Sequence, residues 1–451
     1  MENNIKTIYC NIHKYTQWES LLISIIDTPE FQRLRQIKQL GTCHYIFPGA
    51  CHTRFEHSLG VAYLAEQFMI CLQKNQPELN IKKEDILLFK IAGLCHDLGH
   101  GPVSHGFDEF IDKLNKTVHY EIKWKVHEER SIEVLKVIVD KYNIPITKKQ
   151  IQVIAEIIYP QTMELPKFWY QILANVFDGI DVDKFDYIKR DCLMTGIECD
   201  TIDICRFMEY ARVYEETICY PVKLTFDINH LFLTRHRLHS QIYQHPIVRS
   251  LEWMHIDYLN CIASSLDTYL QSIEGFCELT DIVFTKVFLN SLKLPLCKKN
   301  KANELLNRIY SREVYKFIVE MKVPFSELES DSTSSIDTIK KVYHDVGINL
   351  FGKDNWENDW ILDFVKIGYT LNPLYKVKFY GLELNSNVKC HYYKTGTNKV
   401  NCLPINQSSI TFPKESLDYI ARIYCKSKKP ENEKIDAIIQ GFQNITVESL
   451  V

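Results

Sequence analysis

The stretch from Gly93 to His105, GLCHDLGHGPVSH, constrains this chain more than any other. Ile86, Leu87, Leu88, Ile91, Ala92 and Leu94 lead into it with the spacing of a buried helix. That helix runs into His96 and Asp97, and His100, Gly101, Pro102 and His105 follow. Adjacent helical residues point about 100° apart, so His96 and Asp97 do not lie side by side. One imidazole and one carboxylate can still both reach a metal held above the groove between them. The competing reading is a plain helix C-terminus, with Gly101 as terminator and histidines that favour the dipole. It needs one imidazole, whereas three are present beside an acid.

Two other stretches offer the missing ligands. Upstream, HTRFEHSLG (His52 to Gly60) opens an amphipathic helix carrying Phe55, Leu59, Ala62, Tyr63, Ala65, Phe68, Met69 and Leu72, with His57 one turn in. Downstream, GIDVDKFDYIKRD (Gly179 to Asp191) sets Asp181, Asp183 and Asp186 near the start of a helix that buries Ile180, Phe185 and Ile188. Of these acids Asp183 is the expected fourth ligand. Two imidazoles and two carboxylates form a mixed N/O set that suits a first-row metal or zinc with positions left open for water.

IIDTPEFQRLRQIKQLG (Ile25 to Gly41), FPGACHTRFEHSLGV (Phe47 to Val61), IAGLCHDLGHGPVSH (Ile91 to His105), GIDVDKFDYIKRDC (Gly179 to Cys192) and LHSQIYQH (Leu238 to His245) stand in one order along the chain. In that order and spacing the chain resembles the HD-domain phosphohydrolases, and more closely the deoxynucleoside triphosphate (dNTP) triphosphohydrolases of animals that carry a SAM domain before the HD domain. A bare His-Asp pair is weak evidence; five ordered blocks are strong. There is no room before Ile25 for a SAM domain, so that module is expected to be absent.

The resemblance implies roles for particular residues. His57, His96, Asp97 and Asp183 would bind one divalent metal (iron, zinc or manganese), with magnesium on the substrate triphosphate. His105 and His127 match positions implicated in catalysis, Asp108 matches an acid able to orient His105, and His100 is a further imidazole for proton transfer. Histidine suits that work because its pKa lies near working pH. Arg54, Lys184, Tyr187 and Arg235 match phosphate contacts, with donors that suit a triphosphate. Tyr243 would pack where a 2′ hydroxyl sits, Gln39 and Asp191 would contact the 3′ hydroxyl, Leu40 would border the sugar, and Gln244 would lie near the base. Arg235, His239 and Tyr243 recur every four residues and so stack along one helix face, a pattern that a packed, hydrogen-bonded face also explains.

The same resemblance places a guanine nucleotide activator at Lys6, Asp27, Gln32 and Arg35, although a solvated basic helix face accounts for the charges there by default. Arg206, Lys223, Arg312 and Lys316 match contacts to a second activator nucleotide. Other positions depart from the pattern: Pro221 stands for an arginine, Pro246 for a lysine, and Tyr9-Cys10 for an Asn-Asp pair. Proline offers neither charge nor a backbone donor. A homo-oligomer (dimer or tetramer) with an altered second activator site is therefore expected.

A length of 451 residues allows two or three structural units and one large core. The expected class is mainly α: an HD-domain helical core with its N-terminal regulatory segment over 1–320, and a smaller α+β lobe over 321–451. Helices are expected from Pro29 to Leu40, Lys83 to Asp97, His127 to Tyr142, Lys148 to Ile158 and Lys167 to Phe177. A long or broken helix follows from Ile228 to Leu270. In the lobe, Ser330 to Ser335 reads as a loop, Trp360 to Leu371 and Tyr375 to Tyr380 as strands, and Leu417 to Cys425 and Glu433 to Phe442 as helices. Ile5 to His13 reads as a strand-like entry.

No apolar run suggests a membrane span or secretory signal, so the expected location is intracellular, cytoplasmic or nuclear. The 15 cysteines lack CxxC pairing and read as reduced thiols, and a net charge of −4 argues against a dominant nucleic-acid surface. VHEER at His127 lacks the second histidine of a zinc-protease motif, and His44 and His52 read as structural or surface residues. Two further readings compete with dNTP hydrolysis. One is an HD phosphohydrolase acting on a cyclic nucleotide, a ribonucleotide or an alarmone; the other is a nucleotide-sensing or nucleic-acid-binding protein with an idle HD site. The complete ligand set argues against the second, and Tyr243 with Gln39 and Asp191 against the first.

Overall fold

The structure is a computed structural model describing residues 5–117, 122–198, 202–323, 333–368, 378–380, 417–443 and 445. It is mainly α-helical with small sheets, as the sequence implies. An N-terminal hairpin pairs β1 (Lys6–Cys10) with β2 (Lys14–Trp18). At the centre lies α1 (Arg54–Asn75), opened by a capping box between Thr53 and Glu56. Its buried residues fall all round its surface, as befits a helix at the middle of a core. Against it packs α2 (Lys83–Cys95), and a Cβ added at Gly93 would stand 2.9 Å from the Ala62 Cα, so glycine permits the close approach.

Around this pair lie α3 (His105–Thr117), α4 (His127–Lys141), α5 (Lys148–Ile158), α6 (Val182–Thr195), α7 (Thr225–Leu238), α8 (Pro246–Ile262) and α9 (Leu296–Tyr310). Strands β3 (Arg212–Tyr214) and β4 (Thr217–Pro221) form a hairpin. One apolar cluster runs from Trp18 to Tyr315 and takes in Ile361 and Tyr424. A second, with Val323, Tyr343, Trp356, Ile423 and Phe442, lies where α10 (Thr333–Phe351) and α11 (Asn432–Gln443) meet a three-stranded antiparallel sheet. Its strands are β5 (Lys316–Val323), β6 (Trp360–Gly368) and β8 (Leu417–Cys425), in the order β5-β8-β6, while β7 (Lys378–Tyr380) joins β4 in parallel.

Several sequence expectations need correction. The helix expected from Pro29 to Leu40 is an α turn over Pro29–Gln32 and a 3₁₀ turn over Arg33–Gln36, after which Ile37 is extended. Tertiary partners take over there: Lys38 bridges to Thr53, and its N–H donates to Asp281 Oδ2 at 2.9 Å. Only Lys167–Gln171 of the next expected helix is helical, and it is 3₁₀. The Asn175 side chain accepts from the Phe177 N–H at 2.9 Å, a local bond that competes with a helix.

Leu417–Cys425 is a strand, not a helix. As the central strand it buries successive residues from Ala421 to Cys425 on both faces, and a short apolar run of that kind has no period to read. The long helix breaks at a π turn, His239–Tyr243, and restarts at Pro246 in its first turn, where proline costs no hydrogen bond. Thr333 to Ser335, expected in a loop, begins α10; residues 330–332, 369–371 and 375–377 of the expected lobe elements lie outside the described residues.

Candidate active site

The end of α2, the start of α1 and the start of α6 bring His57, His96, Asp97 and Asp183 together. His57 Nε2 lies 3.0 Å from Asp183 Oδ1 and 3.6 Å from Asp97 Oδ2. His96 Nε2 lies 3.4 Å from Asp97 Oδ1 and 3.7 Å from Asp183 Oδ1. Ligands bound to one metal at about 2.0–2.2 Å stand about 3 to 3.5 Å from one another; His57, His96 and Asp97 come together closely enough to share a single ion, and Asp183 lies against both imidazoles. The tautomers fit as well. His96 Nδ1 faces the Gly93 carbonyl at 2.8 Å and His57 Nδ1 faces Asp186 Oδ2 at 2.7 Å, so each ring, once neutral, would keep its proton on Nδ1 and present Nε2 to a metal. His96 Nε2 is buried without a hydrogen-bond partner.

The electrostatics favour a cation. Burial disfavours charge on His57, yet Asp183, Asp186 and Asp97 push its pKa up to about 10. Burial also opposes ionisation of Asp97, but Arg54, His96 and His100 hold its carboxyl well below the usual range. Arg54 donates Nη1 to Asp97 Oδ2 at 2.7 Å and Nε to Ser104 Oγ at 3.1 Å, so this expected phosphate contact also fixes a candidate metal ligand.

Beyond Asp97 the chain enters a tight loop in which Val103 and Ser104 both have positive φ. Such residues cost about 1–3 kcal/mol each and persist only where their surroundings impose them. Here Asp281 Oδ1 accepts from the Val103 N–H at 2.9 Å, and Ser104 Oγ donates to the Lys38 carbonyl at 2.7 Å. The loop delivers His100 and His105 beside His127 on α4. The His100 and His127 rings stack at 4.0 Å, and His105 lies edge-on to both at 4.9 and 5.4 Å. His105 is the open member, its side chain 71% exposed. His100 is fully buried, and burial, Arg54 and His127 keep it neutral. Asp108, expected to orient His105, stands 3.9 Å from its Nδ1 and accepts instead from His127 Nδ1 at 3.0 Å. Although burial opposes it, His127 and Arg130 hold Asp108 ionised.

The residues expected to meet substrate follow as a chain of contacts. Lys184 donates to Asp181 at 2.7 Å, and Arg235 Nε donates to the Tyr187 hydroxyl at 3.2 Å. His239 meets Tyr243 edge to face, with ring centroids 5.0 Å apart. Tyr243 donates to Asp191 Oδ2, while His52 Nε2 lies 2.7 Å from Asp191 Oδ1. The Gln39 N–H donates to the His52 carbonyl at 3.0 Å, and Leu40 follows, half-buried. Gln39 Oε1, His239 Nδ1 and Gln244 Oε1 are buried polar atoms without a hydrogen-bond partner. Unpaired groups of this kind cost about 1–3 kcal/mol each unless something arrives to satisfy them.

The residues expected at the first activator site form one patch. Lys6 pairs with Asp27, Gln32 donates to the Ile26 carbonyl at 2.7 Å, and Arg35 donates to Gln32 Oε1 at 2.8 Å while lying over the Phe55 ring. In the second set Arg206 pairs with Asp227, Lys223 covers the Tyr210 ring, and Arg312 and Lys316 are exposed. Pro221 is buried in β4, and Pro246 opens α8.

Several residues outside the expected set hold the site. Asp186, one of the three acids near the start of α6, accepts from His57. Arg130, three residues after His127 and therefore on its face of α4, was a visible signal. Asp281, far away in sequence, left none. His52 is buried and structural.

The HD domain family matches residues 54–167. The chain is 34% identical to the deoxynucleoside triphosphate triphosphohydrolase SAMHD1 of Homo sapiens, over 98% of this chain and 73% of that one. Identity is 33% to the enzyme of the same name from Bos taurus, over 98% and 78%, and 31% to its Dictyostelium discoideum homolog, over 96% and 79%.

Proposed function

This chain belongs to the family of HD-domain deoxynucleoside triphosphate triphosphohydrolases, and from that premise we propose that it hydrolyses dNTPs to deoxynucleoside and inorganic triphosphate. The observation that carries this reading is the set His57, His96, Asp97 and Asp183, in which each imidazole lies 3.0 to 3.7 Å from both carboxylates. A divalent ion of iron, zinc or manganese held by these residues would supply Lewis acidity to the phosphate, and magnesium would accompany the substrate triphosphate.

The chain's own side chains do the rest. Lys184, Arg235 and Tyr187 grip the triphosphate as donors to its oxygens, with Arg54 beside them. His105, the exposed imidazole, is kept neutral by burial of its ring nitrogens and by Arg54 and His127, and stands ready to relay the proton given up by the attacking water to the departing 5′ oxygen. His127 stands behind it, held by Asp108, and His100 packs neutral against His127. Tyr243 walls off the 2′ position of the sugar, Gln39 and Asp191 bind its 3′ hydroxyl, Leu40 and His239 border it, and Gln244 lies near the base. The lobe from residue 321 onward braces this wall, since Arg422 of β8 donates to the Gln244 carbonyl. A guanine nucleotide at Lys6, Asp27, Gln32 and Arg35 activates the enzyme within a homo-oligomer; Arg206, Lys223, Arg312 and Lys316 serve a second, weaker nucleotide.

Asp183→Ala and His96→Ala test the assignment. Each is expected to lose bound metal and dNTP hydrolysis while keeping the helical fold by circular dichroism. Undiminished hydrolysis by folded, metal-free Asp183→Ala protein refutes it.

A further inference from the structure

The N-terminal hairpin ends inside the molecule. Register places Cys10 opposite Lys14, so Asn11, Ile12 and His13 form a three-residue turn, and Lys14 follows it with φ at 61°. Left-handed backbone after a short turn is a recurrent hairpin geometry. His13 is carried to the start of α1 and α6, where its ring lies 5.3 Å from that of Tyr63. Its Nε2 lies 2.6 Å from Asp186 Oδ1, with only 6% of the side chain exposed. The other oxygen of that carboxylate, Oδ2, faces His57 Nδ1 at 2.7 Å. Asp186 is fully buried, and Arg190 closes a fork on it with two bonds of 2.8 Å.

Space is reserved for this arrangement. A Cβ on Gly60, one turn after His57, would stand 1.9 Å from Asp186 Oδ1 and 2.8 Å from Arg190 Nη2. The glycine of HTRFEHSLG therefore belongs to the same construction as its second histidine. Arg190 also donates to Cys10 Sγ at 3.5 Å, a second tie between the hairpin turn and α6.

We propose that Asp186 and His13 are positioning residues for the metal ligand His57, so that the seating of the N-terminal hairpin sets how tightly the metal is held. Asp186 fixes the His57 ring by its Nδ1–H and keeps Nε2 aimed at the metal; His13 in turn fixes Asp186. The other end of β1 carries Lys6, paired with Asp27, roughly 14 Å away along four strand residues. Whatever binds at that pair therefore bears on a strand whose far end, Cys10, touches Arg190 and leads into the turn that carries His13 to the carboxylate behind His57. The inference rests on reading His57 as a metal ligand, and goes beyond it in making the hairpin part of the metal site.

Metal retention tests it without any nucleotide. Chelator-stripped protein is titrated with Co²⁺, following its visible absorption, and the bound ion is competed off with a chelator. Loss of such an outer partner typically costs 10- to 100-fold in metal affinity. His13→Leu is expected to fall in that range and to shift the absorption bands, with unchanged circular dichroism. His13→Gln, whose amide can still donate to Asp186, is expected to recover most of the affinity. Tyr15→Ala, on the exposed face of the same hairpin, is expected to match wild type. Asp186→Asn is expected to weaken retention at least as much as His13→Leu.

Folded His13→Leu with wild-type Co²⁺ affinity and spectrum overturns the proposal, as does equal loss in Tyr15→Ala. Wild-type protein that binds no Co²⁺ overturns both this inference and the metal site. If Co²⁺ binds with the expected pattern but dNTPs are not hydrolysed, the proposed activity fails and the positioning role stands.

Discussion

Arg54 donates Nη1 to Asp97 Oδ2 at 2.7 Å, and both side chains are buried. The pair joins the first turn of α1 to the end of α2 and leaves the other Asp97 oxygen turned toward His96 and His100. Removing one member of a buried pair strands the other's charge, typically at about 3–5 kcal/mol. Arg54→Ala is therefore expected to lose stability on that scale in urea denaturation. A loss below about 1 kcal/mol would show that Asp97 does not depend on Arg54.

In the proposed function Tyr243 is the residue that sets the choice of sugar. Its hydroxyl is spent on Asp191, and burial together with that carboxylate keeps it protonated, so it has no donor to spare for a 2′ hydroxyl. Tyr243→Ala is expected to narrow the preference for dNTP over NTP, in kcat/KM, by about ten- to a hundredfold. An unchanged ratio would remove Tyr243 from the sugar gate and restore the reading of a less selective HD phosphohydrolase.

Asp178 carries a pH signature. Burial, more than any other cause, pushes its pKa up to about 7, while Asn175, Gln171 and the Ile180 N–H surround it. A carboxyl raised in the folded state binds its proton more tightly there than when unfolded. Stability therefore falls as pH rises from about 4 through about 7, by at most about 1.4 kcal/mol per unit from this one group. Denaturation at pH 5, 6 and 7 should show a shallower fall for Asp178→Asn than for wild type. Parallel slopes would show that Asp178 is ionised throughout.

The site was legible where chemistry is local. His96, Asp97 and His100 sit within five residues, and the periodic apolar run before them announced the helix that presents them. His57 was readable because its own helix begins with an evident cap. What escaped notice depends on distant partners. Nothing near Ile37 signals that Asp281 will draw the backbone out of the helix, and nothing in Asp186 distinguishes a ligand from the acid behind one. Leu417–Cys425 misled for a related reason, because a strand buried on both faces carries no alternation.

Regulation should depart from that expected of the two-nucleotide pattern. Pro221 and Pro246 stand where charged side chains were expected. Each charge-assisted hydrogen bond to phosphate that proline cannot make is worth about 1.5–3 kcal/mol, or roughly one order of magnitude or more in affinity. Activity titrated with GTP and a non-hydrolysable dNTP, beside mass measurements in solution, should show a response to GTP and weak or absent dependence on the second nucleotide. Strict dependence on both at ordinary affinity would show that the prolines do not matter.

Hydrolysis at the α-phosphorus of a dNTP is read from the identity of its products. Purified, metal-loaded protein is incubated with each dNTP, with and without GTP, and the products are resolved by ion exchange. Deoxynucleoside and intact triphosphate are expected in equal amounts, with the corresponding NTPs largely untouched. Pyrophosphate or single phosphate as the first product would contradict it.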